Sequence, residues 1–329
     1  MMMSSIPYSR YIFGTVPWYS ILIVSGVIAA IILACREEKR AGLPKDTVID
    51  LALWLLPCGI IGARIYYVAF AFNQFKEDLL SVFRIWEGGI AVYGGIIAGL
   101  IVLILFCRLR HLPPLILCDL IAPGLALAQS VGRWGNWFNI EAYGLPVSRP
   151  ELCFFPFALQ VPANGFSWHY ATFFYESLWD LIIFVFLLIA RRRLFSRPGD
   201  VFFFYVFLYA AGRLIIEELR TDSLFAGSSV RASQFLSILI CLVVLIRYLY
   251  IFHKYGQIPL LIRAVILPLS FSAAGFALFY SLSDSFLSSL PLSGIILFLT
   301  ACSLLMTFCL FSIFYLSIRT EDNDAYDKV

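Results

Sequence analysis

Between Gly132 and Gly144 the chain reads Gly-Arg-Trp-Gly-Asn-Trp-Phe-Asn-Ile-Glu-Ala-Tyr-Gly, a polar, aromatic and glycine-rich stretch in an otherwise apolar sequence. Arg133 offers a planar fork of five N–H donors that matches phosphate oxygens. Asn136 and Asn139 can bridge such oxygens or hold the arginine. Trp134 and Trp137 suit the depth of lipid headgroups. An aromatic belt around a re-entrant turn would explain the tryptophans alone. Binding of a phospholipid head also explains the arginine, the two asparagines and the glutamate.

Further along, Tyr209, Arg213, Glu217 and Arg220 are spaced four, four and three residues apart, which puts them on one helix face. Such a stripe cannot face hydrocarbon, so it faces a bundle interior or a wet cavity. Two readings are open: a structural Arg213–Glu217 ion pair, or a cation held ready for an anionic substrate. An ionised residue deep in a membrane costs roughly 2.5 to 3.5 kcal/mol on insertion scales, so Arg64, in Gly-Ala-Arg-Ile-Tyr-Tyr, also needs an offset. It either snorkels to the headgroups or takes part in binding. A third cluster runs from Arg84 through Glu87 to two glycine pairs framing Tyr93. The glycines read as a close-packing helix face. Arg84 and Glu87 could line an entrance, and Tyr93 is either a belt tyrosine or a proton-handling group.

The elements that must position these residues follow from composition. Of 329 residues, 61% are hydrophobic and only 14% charged, well outside the range of soluble domains. The net charge of +3 gives no polycation for nucleic acid. Seven of the eight cysteines fall in or beside apolar stretches, no Cys-x-x-Cys occurs and the three histidines do not cluster with cysteines. Neither a metal site nor a disulfide framework is expected, and no cleavable leader is visible.

Apolar stretches of about 20 residues predict an all-α polytopic membrane protein with nine spans. They run 17–35, 48–72, 89–107, 115–131, 170–190, 201–219, 233–252, 264–282 and 293–317. With the amino terminus outside, 15 of the 24 Lys and Arg residues fall on the inner side and seven on the outer, with Arg64 and Arg213 inside spans. The unusual polar residues then gather toward the outer face. Residues 1–257 read as a seven-span core that holds most of the buried polarity. Residues 258–329 read as an appended hydrophobic module of two lipid-facing spans with a short inner tail, dispensable for chemistry.

The motif from Gly132 to Gly144 resembles the signature of the bacterial prolipoprotein diacylglyceryl transferases. Arg84-Ile-Trp-Glu-Gly-Gly with Tyr93-Gly-Gly, Thr172-Phe-Phe-Tyr175-Glu176-Ser, Arg213 with Glu217, Leu219-Arg220-Thr-Asp222 and Arg231-Ala-Ser-Gln234 resemble further family motifs in the family's order. Together they cover roughly residues 16–250. The resemblance implies a seven-span core in the bacterial cell membrane with its active site toward the outer face. It also implies a reaction without a cofactor, in which the diacylglyceryl group of phosphatidylglycerol moves to the lipobox cysteine of a prolipoprotein and glycerol phosphate leaves. The implied partners are that lipid, prolipoprotein signal-peptide segments and the surrounding membrane lipids, with no nucleic acid.

By the family pattern Arg133 and Arg213 clamp the phosphate, Asn136, Asn139 and Glu141 shape the head pocket, Glu217 and Tyr209 orient Arg213, and Arg220 holds the rim. Arg64 and Glu87 join the binding set. Many members carry a histidine, a proposed base, where Tyr93 stands and others carry tyrosine, so Tyr93 joins Arg133, Arg213 and Glu217 as a catalytic candidate; the family's His-Pro-Thr is replaced by His169-Tyr170-Ala171-Thr172. A transporter or lipid-holding scaffold would need the same clamp but no acceptor thiol. Glycerolipid acyltransferase and phospholipid synthase motifs are absent.

Overall fold

A computed structural model describes residues 9–162, 167–223, 225–226, 230–255, 275 and 291–326. Eight long helices dominate them: α1 (Trp18–Glu38), α2 (Thr47–Phe70), α3 (Val92–Leu109), α4 (Pro114–Asn139), α5 (Thr172–Arg193), α6 (Asp200–Ile216), α7 (Ala232–Tyr255) and α8 (Leu292–Tyr326). Seven of these are long and apolar enough to cross a membrane. The chain is an all-α polytopic membrane protein. The exception, α6, has 17 residues and gives way to a 3₁₀ turn at Glu217–Leu219, whereas the apolar run predicted a span to residue 219. The expected span at 264–282 lies outside the described residues.

The helices fall into two compact units, with boundaries after residues 26, 125, 194 and 202. One unit holds α2, α3, the later part of α1, the first part of α4 and the 195–202 linker. Here Gly62 and Gly94 bring α2 and α3 into backbone contact: a Cβ on Gly94 would collide with Tyr66 and the Gly62 carbonyl, and one on Gly62 with Ala98. The glycines are thus a close-packing face. The start of α2 is capped by Glu38, whose carboxylate accepts the backbone N–H of Thr47 (3.2 Å) and Val48 (3.1 Å). Asp119 does the same for α6, accepting from Gly199 (2.6 Å) and Phe202 (2.8 Å). Both satisfy donors that a helix start leaves free.

The other unit holds the first part of α1, the end of α4, α5, most of α6, α7 and α8. Reciprocal hydrogen bonds tie α4 to α5, with each of Ser130 Oγ and Ser177 Oγ donating to the other's carbonyl at 2.8 Å. Outside the helices β3 (Ala158–Val161) pairs antiparallel with β4 (Ser167–Tyr170), after short pairs β1 (Tyr11–Ile12) and β2 (Val16–Pro17). Residues 144–147 lie along β4: Gly144 N–H donates to Tyr170 O at 2.8 Å and Val147 N–H to Trp168 O at 2.8 Å. On the other side Leu145 N–H donates to Leu219 O at 2.7 Å, which brings the end of the glycine-rich motif beside Arg220.

The α8 helix departs from the expected lipid-facing module. One face of it, including Leu299, Cys302, Met306, Cys309, Leu310, Ile313 and Phe314, is buried. Its rings meet α5, α6 and α7: Phe311 lies 5.8 Å from Phe186 and 5.2 Å from Phe204, and Phe314 lies 5.0 Å from Phe204 and 5.8 Å from Tyr248. Its opposite face, with Leu297, Leu304 and Phe308, is exposed. Truncating a buried ring costs about 3 to 5 kcal/mol. Phe314→Ala is therefore expected to lower the melting temperature in detergent clearly, whereas Phe308→Ala on the open face leaves it nearly unchanged. Equal melting of both variants would show that α8 is not packed in this way.

Candidate active site

Local structure explains how the motif around Arg133 is displayed. The sequence from Gly132 to Asn139 continues α4 as its last two turns, where a polar connection was expected. Gly135 permits close packing on α1, since a Cβ there would stand 2.6 Å from the Tyr19 ring. The helix then stops at Ile140 and Ala142, both with positive φ (58° and 53°). The turn brings Glu141 back over the helix end. Its Oε1 accepts from Asn136 Nδ2 (3.0 Å) and Asn139 Nδ2 (3.2 Å). Thr172 Oγ1 fixes the turn by donating to Ala142 O at 2.6 Å.

Three arginines from two segments converge on one carboxylate of α5. Glu176, only 4% exposed, meets Arg133 Nε at 2.6 Å, Arg220 Nη1 at 2.9 Å and Arg213 Nη1. Arg213 also reaches Glu217 at 2.6 Å, the pairing that the four-residue spacing predicts. Arg220 holds Asp222 through both carboxylate oxygens, at 2.9 and 2.6 Å. Burial pushes the Asp222 carboxyl up, yet the hydrogen bonds and charge of Arg220 outweigh it and hold the group below the ordinary aspartate range. A depressed carboxyl stabilises above its unfolded pKa and loses that contribution as pH falls through the folded value, so this link opens only in acid.

The turn that carries Glu217 and Arg220 is braced by the first turn of α7 and the residue before it. Arg231 Nη1 donates to Glu217 O at 2.5 Å and meets Glu218 at 3.3 Å. Gln234 Nε2 donates to Leu214 O and to Glu218, both at 3.1 Å. Below the arginines a small cavity is lined by Glu176, Trp179, Asp180, Tyr209, Arg213 and Ile216. Gly212 leaves room for Trp179, since any Cβ there would collide with the indole, whose N–H donates to Leu208 O at 2.9 Å.

The chain matches the family model described as prolipoprotein diacylglyceryl transferase over residues 9–250. It belongs to the prolipoprotein diacylglyceryl transferase family. Among its relatives, a Limosilactobacillus reuteri protein named phosphatidylglycerol--prolipoprotein diacylglyceryl transferase is 45% identical over 254 residues, covering 74% of this chain and 90% of that protein. Proteins of the same name from Streptococcus equi subsp. equi and Oceanobacillus iheyensis are 43% and 44% identical. They cover 73% and 71% of this chain, and 91% and 83% of their own lengths. Helix α8 lies beyond the residues that match the family model.

Within this transferase, Arg133, Arg213, Glu217 and Arg220 form one cluster, with Tyr209 on the cavity beside it. Asn136, Asn139 and Glu141 form a second group at the end of the same α4 helix. His169 ties β4 to the end of the glycine-rich motif, its Nδ1 bonding to Gly144 O at 2.8 Å and its Nε2 to Ser167 Oγ at 2.9 Å. The residue missed as a site member is Glu176, which stands in the Thr172-to-Ser177 motif without a role until its arginine partners are seen.

Arg64, Glu87 and Tyr93 belong to the other unit. Arg64 is buried, and every one of its nitrogens is spent on loop carbonyls: Nε on Val82, Nη1 on Gly88 and Gly89, Nη2 on Ser81 and Arg84, at 2.5–3.3 Å. This is the offset that its burial required. Gly88 and Gly89 have positive φ (91° and 71°), and a Cβ on Gly89 would stand 2.6 Å from the guanidinium. Glu87 pairs with Arg84 at 2.9 Å, and Tyr93 is the second residue of α3. Lysine cannot serve five carbonyls, and a hydrogen bond to a charged group contributes about 1.5 to 3 kcal/mol. Arg64→Lys is expected to open the 72–90 loop to trypsin at Lys76 and Arg84; an unchanged cleavage rate would contradict this assignment.

Proposed function

We propose that this protein transfers the diacylglyceryl group of phosphatidylglycerol to the lipobox cysteine of prolipoproteins, at the outer face of the bacterial cell membrane. The observation that carries the reading is the convergence of Arg133, Arg213 and Arg220 on buried Glu176. The three guanidinium groups carry more N–H donors than Glu176, Glu217 and Asp222 engage, so an arriving phosphate can take a carboxylate's place as hydrogen-bond acceptor.

The reaction is substitution at a primary carbon. The thiol, with an ordinary pKa near 8.5, loses its proton; sulfur bonds to the terminal glyceryl carbon; the carbon–oxygen bond to phosphate breaks and glycerol phosphate departs. Arg133 and Arg213 stabilise the charge that grows on the leaving phosphate. Asn136, Asn139 and Glu141 receive the glycerol head, and Arg220 closes the rim. Tyr209 and Glu217 set the orientation of Arg213. Glu87 and Arg64 keep the binding role that the resemblance implies, Arg64 by shaping the 72–90 loop, and Tyr93 that of a catalytic candidate. In this reading residues 1–257 carry the chemistry and α8 supplies packing.

The test is mass spectrometry of a lipobox peptide incubated with the purified protein in phosphatidylglycerol vesicles. The expected product carries one diacylglyceryl group in thioether linkage, with one glycerol phosphate released per peptide. Lipid binding without transfer would sink the proposal and leave a lipid-holding scaffold.

A further inference from the structure

Asp180 has no part in the ion-pair cluster, yet its position is unusual. It follows Glu176 by one helical turn on α5 and shares its face. The residue is 2% exposed, and its Oδ2 has no hydrogen-bond partner among the described residues. It lines the cavity that Tyr209 and Arg213 line from α6. The charged and titratable groups that act on it are Arg133 from α4, Glu176 from its own helix, and Arg213, Tyr209 and Tyr205 from α6. A buried carboxylate oxygen without a partner is costly, so the space beside it suits a group that arrives with a proton to give.

The geometry says which proton. The arginines that clamp phosphate are tied to Glu176, and one turn of helix is about 5.4 Å. Asp180 thus lies about one helical turn beyond the carboxylate that gathers the arginines, on the cavity it shares with Arg213. Among the described residues the cavity between them offers one other carboxylate, Glu176, whose oxygens are already engaged with arginines.

Resting on diacylglyceryl transfer as the reaction, we propose that Asp180 is the proton acceptor for the attacking cysteine thiol. Its carboxylate takes the thiol proton as the sulfur pair forms the bond to the glyceryl carbon. The carbon–oxygen bond breaks with its electron pair going to the phosphate oxygen held by Arg133 and Arg213. The proton then passes from Asp180 to the departing glycerol phosphate dianion, which restores the carboxylate for the next cycle.

The test uses the full chain in phosphatidylglycerol vesicles with two lipobox peptides, one carrying cysteine and one selenocysteine. A selenol is already ionised at neutral pH and needs no base. Because general-base catalysis contributes about 100-fold or more, Asp180→Asn is expected to slow cysteine transfer by about that factor while selenocysteine transfer stays within about tenfold of wild type. Asp180→Glu, which keeps a carboxylate, is expected to recover most of the cysteine rate. Unchanged cysteine transfer in Asp180→Asn, equal loss on both peptides, or a glutamate variant as slow as the asparagine variant would each overturn the assignment. Failure of the wild type on both peptides would instead refute the reaction itself.

Discussion

Glu176→Gln is expected to lower diacylglyceryl transfer by about 100-fold or more while the chain still inserts in the membrane. The carboxylate is the single point on which Arg133, Arg213 and Arg220 meet. Glutamine keeps the shape but presents one neutral acceptor oxygen and an NH2 group with two donors, so at least one guanidinium loses its partner and faces a like-charged neighbour. Removing one partner from a buried ionic network costs about 3 to 5 kcal/mol, and each 1.4 kcal/mol is about tenfold in rate. Part of that loss appears as lower thermal stability. A variant with full transfer and an unchanged melting temperature would show that Glu176 does not organise the site.

The second large effect is expected from Arg133→Lys and Arg213→Lys. Both keep the charge and lose the planar fork. Arg133 meets Glu176 through Nε, and among the described residues no carboxylate is paired with its two terminal nitrogens, which in this reading take the phosphate; lysine has one nitrogen to serve both. Arg213 bridges Glu176 and Glu217 through separate nitrogens, which an ammonium cannot reproduce in the same directions. Loss of a donor from a preorganised electrostatic site costs on the order of 100-fold or more in rate, so each variant should nearly abolish transfer. Near wild-type transfer by both would reduce these residues to structural ion-pair partners, the other reading open from their spacing.

These effects are legible from sequence only where partners share a helix. Arg213 and Glu217 stand four residues apart, so the helical period alone pairs them. Glu176 is 37 residues from Arg213 and 44 from Arg220, and no local spacing links them. Its motif resembles the family's, but its role follows only from the packing of α5 against α4 and α6. The cost of burying Arg64 is visible in the sequence, whereas the loop carbonyls that offset it are not, since backbone acceptors leave no mark on residue type.

The inner and outer faces of α8 are equally apolar, because lipid and helix packing demand the same Leu and Phe side chains. Periodicity cannot then distinguish a packed helix from a lipid-facing one, and the seam with α5, α6 and α7 emerges only in three dimensions. The apolar run also ends α4 too early, for a related reason. Asn and Gly read as a connection, yet two further turns are held by the close packing of Gly135 on Tyr19.

The central claim is that the arginine cluster on Glu176 receives the phosphatidylglycerol head. It is tested most directly by a phosphatidylglycerol bearing a photoreactive group on its head glycerol, irradiated with the protein in vesicles and mapped by mass spectrometry. Adducts are expected to concentrate in residues 133–141 and 209–222 and to disappear on addition of excess phosphatidylglycerol. Adducts confined to other segments, or unchanged by that competitor, would contradict the claim.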